Sequence, residues 1–422
     1  MASSASTQVR EGWQELPLIE CTSDRQISYG VVQPGFPVTD GVPIVRVNNL
    51  VNGRIITNDA MRVAPEIDYS HRRTKLRGGE ILISLVGTTG SVAIVPEELS
   101  GWNVARAIAV IRPDEKIGAS WLKLCLESSH TREYLDARAN TTVQKTLNLK
   151  DVKQLPVPLP PPHWRQEILS LILPIENAIT NLEDQNRGLE ATARAIFKSW
   201  FVDFDPVRAK AEGREPEGMD ADTAALFPCE FEETPIGSVP CGWGVVNLGE
   251  LVEFAYGKPL KAENRNGGTV PVMGSNGRVG WHDEALVRGP GIVVGRKGNP
   301  GTVTWVDSDF FPIDTTFFVR PRNLARGFHI LKNQLDLLNL PDLSADSAVP
   351  GLNREIAYQT KLVNPPNLIA KLFEDVVGPL VAKAAQNEGL VATLADLRDT
   401  LLPRLISGKL RVPEAEAMLT RV

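Results

Sequence analysis

A chain of 422 residues exceeds the roughly 250 to 300 residues at which single hydrophobic cores stop growing, so two domains are expected rather than one. With 42% hydrophobic and 23% charged residues the composition excludes wholesale disorder, and no window approaches the ~20 apolar residues of a membrane span. The formal net charge of −6 argues against a nucleic-acid partner only if it is spread evenly, and it is not: residues 163–239 carry 7 Lys+Arg against 15 Asp+Glu, whereas 1–162 (18 against 17), 240–366 (13 against 12) and 367–422 (7 against 7) are near neutral.

The opening residues, MASSASTQVREGW, hold no apolar stretch of the kind a secretory signal needs, which points to a cytoplasmic protein. From there to residue 162, short apolar runs such as EILISLVG (Glu80 to Gly87) alternate with turn residues, and a helix is expected around SWLKLCLES (Ser120 to Ser128). This predicts a strand-dominated α/β domain over 1–162. Over 163–204 the pattern becomes helical, with Ile168, Ile172, Ile175, Ile179, Leu182, Asn186, Leu189, Ala193, Ile196 and Trp200 at alternating spacings of four and three, a coiled-coil seam interrupted by one Asn. An acidic connector follows over 205–239. Residues 240–366 return to strands, with GIVVGRKG (Gly291 to Gly298) as the strongest run, residues 367–408 form a second spacer helix, and 409–422 a tail.

The second half repeats the first. EGWQELPL (Glu11 to Leu18) matches CGWGVVNL (Cys241 to Leu248) at an offset of 230, VGTTGSV (Val86 to Val92) matches KGNPGTV (Lys297 to Val303) at 211, TLNLKDV (Thr146 to Val152) matches GLNREIA (Gly351 to Ala357) at 205, and NRGLEAT (Asn186 to Thr192) matches NEGLVAT (Asn387 to Thr393) at 201. Offsets that fall in order describe one duplicated unit. Adding 201 to the first seam gives Ile369, Phe373, Val376, Leu380, Lys383, Asn387, Leu390, Leu394, Leu397 and Leu401, so the two Asn share a seam position. The expected fold class is therefore α+β: two similar α/β domains separated by two long helices that form an antiparallel coiled-coil rod about a pseudo-twofold axis, with Asn186 facing Asn387 to fix register. Pro174 and Pro379 should kink these helices or mark where they begin. Trp200, Phe201, Phe204 and, by repeat, Leu401 should close the rod's ends, with Asp203, Asp205 and Pro206 terminating the first helix.

Catalytic signals are weak. Four scattered cysteines without a CxxC pair and five dispersed histidines indicate neither a disulfide framework nor a metal site. YGKP and SGKL lack the earlier glycine and the hydroxyl residue of a phosphate loop, and PDEK (Pro113 to Lys116) reads as a solvated turn. NPPN (Asn364 to Asn367) is similar to the Asn-Pro-Pro-aromatic tetrad of amino-methyltransferases, but its fourth residue is Asn and its counterpart LPPP (Leu159 to Pro162) lacks the first Asn; both read as extended entries to a helix.

Contact chemistry is better represented. HRRTKLR (His71 to Arg77) places Arg72, Arg73, Lys75 and Arg77 within seven residues; the glycine-framed loops GTTG and GNPG offer Thr88, Thr89 and, in GRKGNPG, Arg296, Lys297 and Asn299; GSNGRVGW offers Ser275, Asn276 and Arg278; Lys145 and Lys258 are further cations beside turns. Arg reads guanine bidentately, Asn reads adenine, and Lys, Ser and Thr hold phosphates, so these fourteen residues are the candidate DNA-binding set.

KSWFVDFDPVRAKAEG (Lys198 to Gly213), LFPCEFEETPIGSVPCGW (Leu226 to Trp243), YGKPL (Tyr256 to Leu260), GSNGRVGW, GPGIVVGRKGNPGTV (Gly289 to Val303), PIDTTFFV (Pro312 to Val319) and LRDTLLPRLISGKLRV (Leu397 to Val412) together resemble the DNA-specificity subunit of Type I restriction-modification enzymes. The resemblance covers essentially the whole chain and is most specific from Lys198 onward. It implies two target recognition domains, each reading about three to five base pairs of a bipartite, asymmetric site, with the rod setting the spacer. It also implies double-stranded DNA as ligand and two partner types: two modification subunits, which hold S-adenosylmethionine, and restriction subunits, which use ATP and Mg. No cofactor and no catalytic or metal residue is expected in this chain, and the alternative expectation for Trp200, Phe201, Phe204 and Leu401 is contact with a modification subunit. The competing expectations for the whole chain are a stand-alone methyltransferase or nuclease and a scaffold that binds protein.

Overall fold

The computed structural model describes residues 12–138, 146–323, 327–343 and 351–419. The chain divides into two compact units, Met1–Thr180 with Val391–Val422, and Asn181–Leu390.

In the first unit a four-stranded antiparallel sheet runs in the order Thr22–Tyr29, Ile108–Pro113, Ile81–Ser84, Val92–Ile94. Its central strands are unbroken apolar runs because both faces are covered. Side chains alternate with period two: Ile81, Ile83, Ala109 and Ile111 enter a core with Trp121 and Leu122 of the helix Ala119–Glu127, while Leu82, Ile108 and Val110 enter a second core with Val45 and Val104. Val45 and Val104 belong to a small sheet in which Val42–Val45 pairs antiparallel with Met61–Val63 and parallel with Asn103–Val104. A ribbon of Gln14–Pro17 and Pro156–Leu159 joins entry and exit of the domain.

Apart from a short hairpin of Leu50–Val51 with Arg54–Ile55 that only the first unit has among the described residues, the second unit repeats these three sheets. Its sheet order is Val252–Tyr256, Thr316–Pro321, Gly291–Gly295, Val303–Val306; its small sheet pairs Val270–Gly274 antiparallel with Gly277–His282 and parallel with Phe311–Pro312; its ribbon is Gly244–Asn247 with Lys361–Asn364. The alternation recurs too, Ile292, Val294, Phe317 and Val319 on one face and Val293 and Phe318 on the other. The helix Phe328–Leu337 stands where Ala119–Glu127 stands in the first unit, and Glu374 accepts the Ile330 N–H at 2.8 Å near its start.

Each exit strand leads through prolines into a 40-residue helix, Pro162–Phe201 or Asn367–Ile406, each about 60 Å long at ~1.5 Å per residue. LPPP and NPPN are thus strand-to-helix junctions. Neither Pro174 nor Pro379 begins a helix, since both helices run unbroken through them. Within the first unit Ile168, Ile172, Ile175 and Ile179 pack with Leu401, Leu402, Leu405 and Ile406, and Arg398 donates to Glu176 at 3.0 Å. Within the second unit Phe197 packs edge-on against Phe373 at 5.8 Å and Asn387 donates to Asn186 at 2.9 Å. In each unit, then, the two helical segments run antiparallel.

The expected second seam holds at seven of its ten positions and fails at three. Val376, Lys383 and Leu390 are exposed, and Val377, Ala384 and Val391 take the inward positions instead. In the first helix Phe197 is buried and Ile196 only half-buried. Carrying a heptad phase across by adding 201 keeps one seam row (Phe373, Leu380, Asn387, Leu394, Leu401) and, in the other, keeps Ile369 and Leu397 but displaces the three positions between them by one residue. Adjacent apolar pairs such as Val376–Val377 and Leu390–Val391 leave that row degenerate in the sequence, and the facing helix selects one member.

Trp200, Phe201 and Phe204 are all buried, in an aromatic cluster with Phe227, Trp243 and Phe373 inside the second unit; Leu401 is buried in the core of the first. None of the four presents a surface to a separate subunit. The first helix stops where Phe204 adopts a left-handed backbone, φ 56°, and Asp205–Pro206 opens the short helix Asp205–Ala211. The acidic stretch after it is folded, with Phe227 buried, Lys210 donating to the Ala224 and Phe227 carbonyls, and a hairpin of Phe231–Thr234 and Gly237–Pro240.

Candidate nucleic-acid interface

In the second unit three segments distant in sequence meet at one end of the sheet. Ser275 and Asn276 form the turn between the first two strands of the small sheet, with Gly277 left-handed. Arg296 to Gly301 form the loop between the last two strands of the main sheet, with Gly298 and Gly301 left-handed. A Cβ on Gly298 would lie 3.2 Å from Ser275 Oγ and one on Gly295 3.3 Å from the Ser275 carbonyl, so the two loops touch. Lys258 joins them by bridging to Ile313, whose N–H donates to Met273 at 2.9 Å. Of the candidates here, Lys258, Asn276, Arg278, Lys297 and Asn299 are exposed, while Ser275 and Arg296 are half-buried. Arg278 stacks over Trp281 at 4.5 Å, itself 41% exposed.

The first unit builds the same loop with other residues. Gly87 and Gly90 are left-handed like Gly298 and Gly301, and Gly90 N–H donates to Ser84 at 2.9 Å as Gly301 N–H does to Gly295 at 2.8 Å. Thr88 at its tip is exposed and Thr89 half-buried. The HRRTKLR run is divided by the fold: Arg72, Arg73 and Arg77 are exposed, whereas Lys75 pairs with the buried carboxylate of Asp68 at 2.7 Å, which also accepts from Asn103 at 2.8 Å. Lys75 thereby serves the packing of the small sheet. Lys145 lies outside the described residues. Two of the four cysteines are buried, and burial pushes the Cys21 thiol up to about 12 and raises Cys125 likewise.

The topology brings out one further correspondence between the units. Tyr29 pairs with Ala109 and Tyr256 with Phe317, the same rung of the two main sheets. Each is followed by a glycine that lets the strand cross the small sheet: a Cβ on Gly30 would meet the Val104 carbonyl at 1.9 Å, and one on Gly257 the Ile313 carbonyl at 2.2 Å. Tyr29 is 48% and Tyr256 51% exposed. Neither belongs to the candidate set, although the signal is present as SYG and AYG at an offset of 227, between the recognised offsets of 230 and 211. Arg354, which stacks over Tyr256 at 5.3 Å, is likewise outside that set.

Residues 39–191 match the family model of the Type I restriction modification DNA specificity domain. Over that stretch, about a third of the chain, the protein is similar to the Type I restriction-modification DNA-specificity family. It is 34% identical over 193 residues to the Type I restriction enzyme EcoBI specificity subunit of Escherichia coli, a match covering 45% of this chain and 40% of that relative, less than half of its length. To the HindI specificity subunit of Haemophilus influenzae it is 26% identical over 406 residues, covering 79% of this chain and 87% of the relative. In fold it is similar to the S subunit of the Type I restriction-modification system of M. genitalium, with a TM-score of 0.58 at 16% identity over 96% of this chain and 98% of that one. The matched residues take in three of the four strands of the first main sheet, Ile81–Ser84, Val92–Ile94 and Ile108–Pro113, together with the Gly87–Gly90 loop and Asn186.

Proposed function

We propose that this chain is the non-catalytic DNA-reading subunit of a Type I restriction-modification complex. Each unit reads one half of a bipartite, asymmetric site in double-stranded DNA, and the paired long helices set the spacer. The observation that carries this is the duplication itself: two units share one topology and one loop conformation, yet carry different side chains at the loop tips, Thr88–Thr89 in one and Lys297–Asn299 in the other. Equal frames with unequal tips suit a reader of two unequal half-sites.

Two modification subunits supply S-adenosylmethionine and methylate adenine, and restriction subunits supply ATP- and Mg-dependent cleavage, in the cytoplasm. Because the two domains are near neutral, much of the phosphate contact falls to these partners, and the isolated chain binds DNA weakly and with strong salt sensitivity.

The test is to exchange residues 12–156 for the corresponding domain of a relative, co-express the chimaera with the modification subunits, and sequence methylated adenines in host DNA. One half of the methylated sequence should change and the other persist. Change in both halves, or in neither, defeats the assignment of one half-site to each unit, and calorimetric binding of S-adenosylmethionine by the isolated chain would restore the stand-alone methyltransferase.

A further inference from the structure

We propose that Tyr29 and Tyr256 are the centres of two equivalent phosphate-anchoring sites, which hold the DNA backbone at the same place on each unit and leave base reading to the glycine-framed loops. This rests on the DNA-reading function and adds a division of labour within it.

The two tyrosines share a rung of the sheet, and each is placed rigidly by the glycine after it, which presses the strand onto a carbonyl of the small sheet. Both rings are half exposed, and neither hydroxyl has a hydrogen-bond partner among the described residues. An exposed, rigid hydroxyl without a partner is available to an external acceptor.

Cations surround both, but from different parts of the sequence. Tyr29 lines a hollow of about 470 Å³ with Arg72, Arg73 and Lys153, and among the described residues no carboxylate lines it. The Tyr256 ring has the guanidinium of Arg296 at 5.0 Å and that of Arg354 at 5.3 Å; Arg354 also reaches the exposed Glu355 at 3.3 Å. By the repeat, Arg296 corresponds to Leu85 and Arg354 to Leu149, so the cations around the two tyrosines do not correspond position for position. In each unit, different positions place positive charge around the same tyrosine. Charge without a fixed geometry matches phosphate, which carries no sequence information, rather than a base edge, which demands a particular donor pattern. An anchor common to both units would fix the register of each reader on its half-site while the loop tips vary.

The experiment uses the chain assembled with its modification subunits and measures binding to three probes: the methylated-site duplex, the same duplex with one half-site scrambled, and inorganic phosphate. Tyr29→Phe and Tyr256→Phe keep the ring, and Arg73→Gln and Arg354→Gln remove exposed or half-exposed cations, so unchanged thermal unfolding verifies the fold. Each variant should weaken both duplexes by the same factor, about five-fold, and each Arg variant should lower the slope of log affinity against log salt by about one. The methylated sequence should stay as in the parent. An altered ratio between the two duplexes makes the residue a base reader and overturns the proposal, as does unchanged affinity with an unchanged salt slope. Phosphate binding that is lost in the variants while duplex binding is retained assigns the sites to a free phosphate-bearing ligand and also overturns it. If the parent complex itself fails to distinguish the two duplexes, the DNA-reading function falls, which is a separate result.

Discussion

Gly257 is required by what its strand crosses rather than by its own backbone angle, because a single methyl there would sit 2.2 Å from the Ile313 carbonyl oxygen. Gly30 has the same constraint in the first unit. Gly188, by contrast, lies inside a long helix where an added Cβ would meet nothing within 4 Å, so there glycine only adds chain entropy to the unfolded state. Gly257→Ala should therefore destabilise the protein by about 2 kcal/mol or more, and Gly188→Ala should stabilise it by roughly 0.5 to 1 kcal/mol. Shifts of the thermal unfolding midpoint in opposite directions check both. Single residues of this kind are poorly legible in a sequence: Tyr-Gly is an ordinary dipeptide, and only the two sheets, laid over one another, show that it occurs twice on the same rung.

Helices are the most legible elements, and Asn186 with Asn387 shows how far that legibility goes. Their shared seam position leads to the expectation that they face each other; in the second unit Asn387 Nδ2 donates to Asn186 Oδ1 at 2.9 Å, and Asn186 Nδ2 donates to the Ala384 carbonyl at 3.0 Å. Both are buried, Asn186 at 9% and Asn387 at 0% exposure, so a missing partner leaves a desolvated amide. Asn387→Leu alone should cost about 1 to 3 kcal/mol, while the double change to Leu at both positions should recover most of it, a coupling that a double-mutant cycle in denaturant measures. The middle of one row of the second seam is not legible, since Val376 and Val377 are equally apolar and only the opposing helix distinguishes them. Strand order is equally out of reach, because pairing a first strand with a fourth depends on contacts some 80 residues apart in sequence, as between Tyr29 and Ala109.

For the whole molecule, the proposed ruler makes a demand on both helices at once. Facing pairs are Glu176 with Arg398, Asn186 with Asn387 and Phe197 with Phe373, so the residue opposite Leu189 lies near Ala384, and not at its repeat equivalent Leu390. One heptad inserted after Leu189 alone should misalign the seam and abolish assembly with the modification subunits. Heptads inserted after both Leu189 and Ala384 should preserve assembly and lengthen the unspecified spacer by about three base pairs, given ~1.5 Å per helical residue and ~3.4 Å per base pair. Sequencing of methylated adenines reads the spacer directly, and an unchanged spacer in the doubly lengthened protein would remove the helices from that role.

By itself the sequence determined the duplication, the alternation of strand-rich and helical segments and the facing Asn pair, because each is written in local composition, periodicity or order along the chain. Tertiary structure alone decided which apolar residue of an adjacent pair turns inward, that Lys75 pairs with the buried Asp68, that Trp200, Phe201 and Phe204 fill a core, and that an exposed tyrosine gathers cations in both units. These depend on the partner a side chain meets across the fold, and such partners come from segments whose separation in sequence gives no sign of their proximity in space.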